Sequence, residues 1–231
     1  MAIPKKIHYV WVGGKEKPKK IKKCMKTWNK YLKDYEIKEW NESNFDIDSH
    51  PFVKTAYKAK KWAFVSDYIR AYAVYNEGGI YLDTDILLVD NIDDLLKNKA
   101  FVGFENDTHP FTAVFGAEKG HPFIKEILNY YDYADTSFNF ENNNTLSVSN
   151  MLIENYGCKI GNIEQTLPTG IKVYRSGILC NPSMESKAIH VFTGTWLDES
   201  KKIKRKLIEF FKIRLTNKTR IKLYLKYIKK E

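Results

Sequence analysis

The stretch that most constrains the fold runs from Trp62 to Asp85. Val65, Tyr68/Ile69, Tyr72 and Tyr75 recur on one side of a helical wheel, which predicts a helix over Trp62–Glu77. Gly78-Gly79 stops it, because glycine accepts the left-handed backbone that ends a helix. Ile80-Tyr81-Leu82 then restarts as an apolar strand and runs directly into Asp83-Thr84-Asp85, with Ile86 to Val89 strand-like beyond. A helix returning through two glycines into a buried strand is half of an α/β unit. Its strand ends in carboxylates, and open α/β sheets bind ligands in the crevice outside the C-terminal ends of their strands.

The rest of the chain keeps the same alternation. Ile7 to Val12 reads as a strand closed by Gly13-Gly14, Ile21, Met25, Trp28 and Leu32 have helical spacing, and Glu36 to Trp40 is a short strand. Ala100–Phe104 and Thr112–Gly116 read as strands, Pro122–Tyr131 and Thr145–Tyr156 as helices, and Ala188–Phe192 as a closing strand. With 231 residues, 43% of them hydrophobic, the chain can bury one sizeable core and not comfortably two. No apolar run nears the roughly 18 residues of a membrane-spanning helix. The opening Met1-Ala2-Ile3-Pro4-Lys5-Lys6 lacks a long apolar stretch, so export is not expected. Cys24, Cys158 and Cys180, with no C-x-x-C, read as free thiols in a reducing compartment.

Charge is distributed unevenly. Residues 201–231 hold 13 of the 38 Lys/Arg and 2 of the 28 acids, so the chain's net +10 lies in that segment and residues 1–200 are close to neutral. The expected organisation is therefore an α/β domain over 1–200 with a basic helical appendage at 201–231. Ile203, Leu207, Phe210 and Phe211 form one helical stripe in it, and Ile221, Leu225 and Ile228 another. Two readings are open: helices packed on the domain, or an anchor for an anionic membrane surface, where each basic residue adds ~1 kcal/mol. A nucleic-acid partner is not expected, because the neutral body offers no basic groove.

Two D-x-D triplets occur, and the pattern alone is weak. Asp46 and Asp48 follow the polar run Asn41-Glu42-Ser43-Asn44 and read as a solvated loop or cap. Asp83 and Asp85 end a strand, where side chains two apart point the same way and can face one divalent cation. The plainer alternative is an acidic turn. Asp67 and Arg70, at i and i+3 on the preceding helix, share a face. They are either a surface ion pair or a carboxylate and guanidinium presented toward the strand end, where Arg70 could hold a hydroxyl or phosphate oxygen.

The run Ser66-Asp67-x-x-Arg70-x-x-x-Val74-Tyr75-x-x-Gly78-Gly79-Ile80-Tyr81-x-Asp83-x-Asp85 resembles the signature of the sugar-transfer region of glycosyltransferase family 32, which has Leu where this chain has Val74. That family includes yeast initiating mannosyltransferases and bacterial capsule enzymes, and a related arrangement occurs in clostridial toxin glucosyltransferase domains. Ile3-Pro4-Lys5-Lys6-Ile7-His8-Tyr9-Val10-Trp11 is similar to its first strand, and His190-Val191-Phe192-Thr193-Gly194-Thr195-Trp196 to its closing element.

The resemblance implies a GT-A type α/β fold and a retaining transfer from a nucleotide sugar with Mn²⁺ or Mg²⁺. It assigns the metal to Asp85, with Asp83 on the metal or the donor ribose and His190 completing the site. Asp67 and Arg70 are expected on the donor sugar, Trp11 on the nucleotide base, and Thr195 and Trp196 on the diphosphate. Glu105 and Asn106 are the candidates for the acceptor side; the family's later Gly-Pro segment has no counterpart around Asn143–Ser149. The expected protein transfers sugar from a UDP-sugar, or a GDP-sugar, to a lipid-linked saccharide in bacterial capsular or surface polysaccharide synthesis. It is expected to be cytoplasmic and peripheral on the inner face of the cell membrane. The alternatives are a toxin-like transferase acting on a protein and a catalytically silent nucleotide-sugar-binding protein.

Overall fold

The computed structural model describes residues 3–138, 143–193 and 209–227. The chain opens with β1 (Lys6–Val10), α1 (Lys19–Tyr31) and β2 (Glu36–Trp40), then α2 (Pro51–Lys58), α3 (Trp62–Glu77), β3 (Gly79–Leu82) and β4 (Ile86–Leu88). Next come β5 (Ala100–Gly103), β6 (Val114–Ala117), α4 (Pro122–Tyr130) and α5 (Asn144–Glu154). β7 (Gln165–Thr166), β8 (Ile171–Tyr174), α6 (Ser176–Leu179), β9 (Ala188–His190) and α7 (Lys218–Tyr227) complete the order.

One seven-stranded sheet has the order β2-β1-β3-β6-β5-β8-β7. β1 is parallel to β2 and β3, and β5 to β8, while β6 runs antiparallel between β3 and β5. The C-terminal ends of β1, β2, β3, β5 and β8 thus share one edge. His8 pairs with Tyr81, so Val10 lies level with Asp83 when the register is continued by two residues. β1 and β3 are buried almost throughout, as parallel strands covered on both faces must be. On one face α3, α4 and α5 pack Ile69, Val74, Ile127 and Leu152 against Tyr81 and Phe115. On the other, Trp28 of α1 and Ile86 of β4 cover Ile7, Ile80 and Phe101.

The turn between α3 and β3 requires both glycines. Gly78 has φ +67°, and a Cβ there would meet the backbone nitrogen of Lys119 at 2.8 Å. Gly79 has φ +116°, and its Cβ would lie 2.6 Å from the Lys6 carbonyl oxygen of the neighbouring strand. His8 closes the same corner. Its Nδ1 accepts from the Trp40 indole N–H at 3.1 Å, so Nε2 carries the proton that it donates to the Gly78 carbonyl at 2.8 Å. Burial lowers the His8 pKa, keeping the ring neutral.

Helix α3 and strand β2 have the bounds expected from sequence. Helix α2 was not expected. It begins at His50-Pro51, as α4 begins at His121-Pro122, and in both the histidine Nδ1 accepts from the second helical N–H. Histidine is not among the usual capping residues, so this device does not announce a helix start. β8 escaped because four residues alternating buried and half-buried give too short a periodic signal. The closing strand stops at His190 rather than Phe192, because Phe192 has φ +59° and turns the chain out of the ladder.

The described part of the basic C-terminal segment packs on the domain. Residues 209–212 are helical, and Ile213, Leu215 and Ile221 are buried against Cys24 of α1, Leu87 of β4 and Ile189 of β9. Ion pairs Lys20–Glu209 and Lys218–Asp90 tie it to α1 and to the turn after β4. Ile203, Leu207 and Ile228 lie outside the described residues. Among the described residues no helix is long and apolar enough to cross a membrane, and all three cysteines are free and buried.

Candidate active site

The carboxylates are placed by two sheets at once. Strand alternation puts Tyr81 and Asp83 on one side, and the Tyr81 hydroxyl donates to Asp83 Oδ1 at 2.8 Å. Asp83 leaves the large sheet with its N–H on the Ala113 carbonyl, and the Ile86 N–H returns to the Asp83 carbonyl, closing the D-x-D turn. β4 then pairs antiparallel with β9, Ile86 opposite His190. That register carries the chain after His190 past Asp85: the Val191 N–H donates to the Asp85 carbonyl. The Thr193 N–H and hydroxyl both donate to Asp85 Oδ2, at 2.8 and 3.0 Å. His190 Nε2 sits 3.3 Å from Asp85 Oδ1.

Ligand atoms of Asp83, Asp85 and His190 all lie within 4.8 Å of one another. This set fits a divalent cation. Two oxygens and an imidazole nitrogen suit Mn²⁺, and neighbouring ligands each about 2.2 Å from an ion are about 3.1 Å apart, close to the observed His190–Asp85 separation. Burial opposes the Asp85 charge, but His190 and the two Thr193 donors outweigh it and hold the carboxyl at about 2. Burial likewise opposes the His190 charge, and Asp85 overcomes it and raises the imidazole. The His190 Nδ1 is buried without a hydrogen-bond partner among the described residues.

Asp67 and Arg70 are not a surface pair; both are buried. Arg70 Nη2 lies 2.8 Å from Asp67 Oδ1 and 3.3 Å from Asp83 Oδ1, tying the helix pair to the D-x-D turn. The guanidinium also donates to Ser66 and lies over the Tyr81 ring. Burial works against its charge, but Asp83, Tyr81 and Asp67 more than offset that, so Arg70 stays protonated. Burial raises Asp67 to about 6, against the pull of Arg70. A carboxyl and a guanidinium thus sit fixed beside the three candidate ligands.

Trp11 stands at the same sheet edge, just past the end of β1. It lines its own cleft of about 350 Å³ with Lys15, Lys17, Glu39, Asn41 and Glu42. Its indole N–H donates to the Lys15 carbonyl at 2.6 Å, and Lys17, paired with Glu39, lies over the ring. Glu105 is half-buried after β5; burial raises its pKa, with Asp83 adding and His190 opposing, which puts it in the field of the site. Asn106 is engaged elsewhere: its side-chain oxygen caps a local turn through Thr108 and His109. Thr195 and Trp196 lie outside the described residues. The other triplet is a cap, with Asp46 accepting from the Asp48 N–H.

Sequence reasoning gave Thr193 no role, although its place three residues after His190 was in view. Lys212 was also missed. Its ammonium donates to the His190 carbonyl at 3.0 Å and lies over the Phe192 ring, which itself stacks on His190. Only the packing of the C-terminal segment brings it there.

At the C-terminal edge of the α/β sheet the chain thus combines a D-x-D turn with a convergent histidine. Residues 18–102 match the family described as "Glycosyltransferase sugar-binding region containing DXD motif". The chain is similar to inositol phosphoceramide mannosyltransferase 3 of Schizosaccharomyces pombe, 31% identical over 55% of this chain and 36% of the relative. It also resembles an uncharacterized glycosyltransferase of Acanthamoeba polyphaga mimivirus, 27% identical over 54% of each. The matched stretch thus spans only about a third to a half of these relatives. The fold is of the GT-A type: the solved PaToxG glycosyltransferase superposes with a TM-score of 0.52 at 19% identity, over 67% of this chain and 69% of that one.

Proposed function

We propose that the protein is a retaining, divalent-metal-dependent glycosyltransferase that takes a hexose from a nucleoside-diphosphate sugar, with UDP-sugars ahead of GDP-sugars. The observation that carries this is the convergence of Asp83, Asp85 and His190 beside the buried Asp67–Arg70 pair, at the edge where parallel strands end. Asp83, Asp85 and His190 would hold Mn²⁺ or Mg²⁺, whose chemistry there is to neutralise charge building on the leaving diphosphate. Thr193 fixes the Asp85 carboxylate in one orientation, and Lys212 fixes the backbone that carries His190. Asp67 and Arg70 hold the sugar hydroxyls, and Trp11 offers its ring to the base. Thr195 and Trp196 are proposed to hold the diphosphate, and Glu105 to face the acceptor.

Transfer across one face of the sugar breaks the anomeric carbon–phosphate oxygen bond as the acceptor oxygen attacks. The acceptor proton passes to the departing phosphate oxygen. Configuration is retained, and no side-chain nucleophile is needed. The acceptor proposed is a lipid-linked saccharide, as in capsule or surface-polysaccharide assembly, with the enzyme peripheral on the inner face of the cell membrane. The relative named for mannosyl transfer to inositol phosphoceramide supports a lipid-borne acceptor, and the basic segment 201–231 supports attachment to an anionic membrane surface. A screen of nucleotide sugars with Mn²⁺, following slow donor hydrolysis without acceptor, tests the reading. Hydrolysis of one donor is the expected result, and no turnover or binding of any donor would refute it.

A further inference from the structure

The basic face of this protein is not confined to its C-terminal segment. Helix α1 buries Ile21, Cys24, Thr27 and Trp28, and its opposite side carries Lys19, Lys23, Lys26 and Lys30 at i, i+4, i+7 and i+11. All four are exposed, and among the described residues none is paired with a carboxylate. Lys6, Lys17, Lys38 and Lys187 elsewhere in the body are, by contrast, each paired with a carboxylate. Residues 209–227 pack beside α1, with Cys24 against Ile213 and Ile221, and Lys23 of the stripe lines the groove between them.

Between them opens a groove of about 580 Å³. Its cations are Lys23 from α1 and Arg214 and Arg220 from the C-terminal segment, and its apolar wall includes Phe211, Tyr224 and Leu223. Helix α7 explains the wall. Ile221 faces inward and is buried, while Arg220, Leu223 and Tyr227 fall at i, i+3 and i+7 on a second side, where Leu223 is 52% and Tyr227 60% exposed. A helix packed on a soluble domain needs only one apolar face. Phe210, 51% exposed with Arg214 stacked on its ring, extends the apolar surface.

We infer that α1 and residues 209–227 together form a docking face for an anionic phospholipid bilayer, with the groove receiving one lipid. Lys23, Arg214 and Arg220 take its phosphate, and Leu223, Tyr224 and Tyr227 lie along its chain. Charge complementarity around an apolar floor selects this occupant: neutral lipid would leave the cations without anionic partners, and a free anion would leave the floor wet. This rests on the membrane reading proposed above and changes its site, from an appended tail to a composite face. The inner side of α1 packs on β4, the strand that starts one residue after Asp85, and the Trp28 indole donates to the Ile86 carbonyl at 2.8 Å. A docked membrane is thereby held in a fixed relation to the candidate active site.

The test is sedimentation of the full chain with phosphatidylcholine vesicles, with and without phosphatidylglycerol, at low and high salt. The parent is expected to bind only the anionic vesicles. Lys23→Glu/Lys26→Glu, on the body, and Leu223→Asp/Tyr227→Asp, at exposed groove positions, should each lower that partition by roughly tenfold or more. Lys58→Glu, on α2, should leave it unchanged. Normal melting temperatures in all variants keep the comparison interpretable. If charge reversals at Lys222 and Lys226 abolish binding while the α1 and groove pairs do not, the composite face is wrong and the membrane reading survives. A parent that ignores anionic vesicles, or prefers duplex DNA to them, overturns both.

Discussion

Arg70 serves both the fold and the proposed chemistry, and two substitutions separate those roles. Arg70→Ala removes the only cation among the described residues within ion-pairing distance of Asp67, one that also reaches Asp83, and leaves a buried carboxylate without it. Breaking a buried pair from one side costs about 3–5 kcal/mol. For a chain of this length each kcal/mol moves the midpoint by roughly 2–4 °C, so a fall of about 6–20 °C is expected. Asp67→Asn is milder. It keeps the shape and an oxygen acceptor for Arg70, and it removes a carboxylate that burial already pushes to about 6. Its stability cost should stay below about 2 kcal/mol. Transfer should fall at least a hundredfold in kcat/KM in both, about 2.7 kcal/mol of transition-state stabilisation, with nucleoside diphosphate binding nearly normally. Thermal melts, calorimetric nucleotide binding and donor hydrolysis read the three quantities. A folded Asp67→Asn protein that works within a few-fold of the parent would show the pair to be structural.

Other expectations follow from the corner that precedes the D-x-D turn and from the C-terminal segment. Gly79→Ala combines a positive φ with a Cβ 2.6 Å from the Lys6 oxygen, and should cost about 3 kcal/mol or more, whereas Gly14→Ala, with nothing within 4 Å, should cost about 1; urea unfolding compares them. His8 has its folded pKa lowered by burial, so its contribution is complete above the unfolded value near 6.5 and is lost as pH falls through the folded one. Melts across that range should show stability falling with acid, and His8→Gln should flatten the slope; an unchanged slope would remove His8 as its cause. Lys212→Met should weaken Mn²⁺ binding severalfold with the melting temperature within a few degrees, because the His190 carbonyl loses its donor; unaltered Mn²⁺ affinity would refute the brace.

What the sequence made legible was what local chemistry controls. The α3–Gly-Gly–β3 passage announces itself because a helical period, two glycines and an apolar run succeed one another without a gap. Asp83, Asp85 and His190 were legible as a set only through the family resemblance. Nothing in the spacing of residues 85 and 190 predicts the β4–β9 register that joins them. The Asp67–Arg70 spacing was legible too, but not its burial, which depends on α4 and α5 closing over α3. Thr193 and Lys212 were hidden for a related reason: one acts through a backbone N–H, the other from a segment that composition alone reads as solvated charge. The α1 lysine stripe was visible at helical spacing, yet its meaning depends on what packs alongside.

If the Asp83–Asp85–His190 cluster holds the cation as proposed, sugar transfer depends on metal. Donor hydrolysis followed through EDTA treatment and Mn²⁺ readdition, for the parent and for Asp85→Asn, tests it most directly. EDTA is expected to abolish parent turnover and Mn²⁺ to restore it, while Asp85→Asn stays folded and inactive with Mn²⁺ in excess. Undiminished hydrolysis in EDTA, or an Asp85→Asn protein that still turns over its donor at the parent rate, would contradict it.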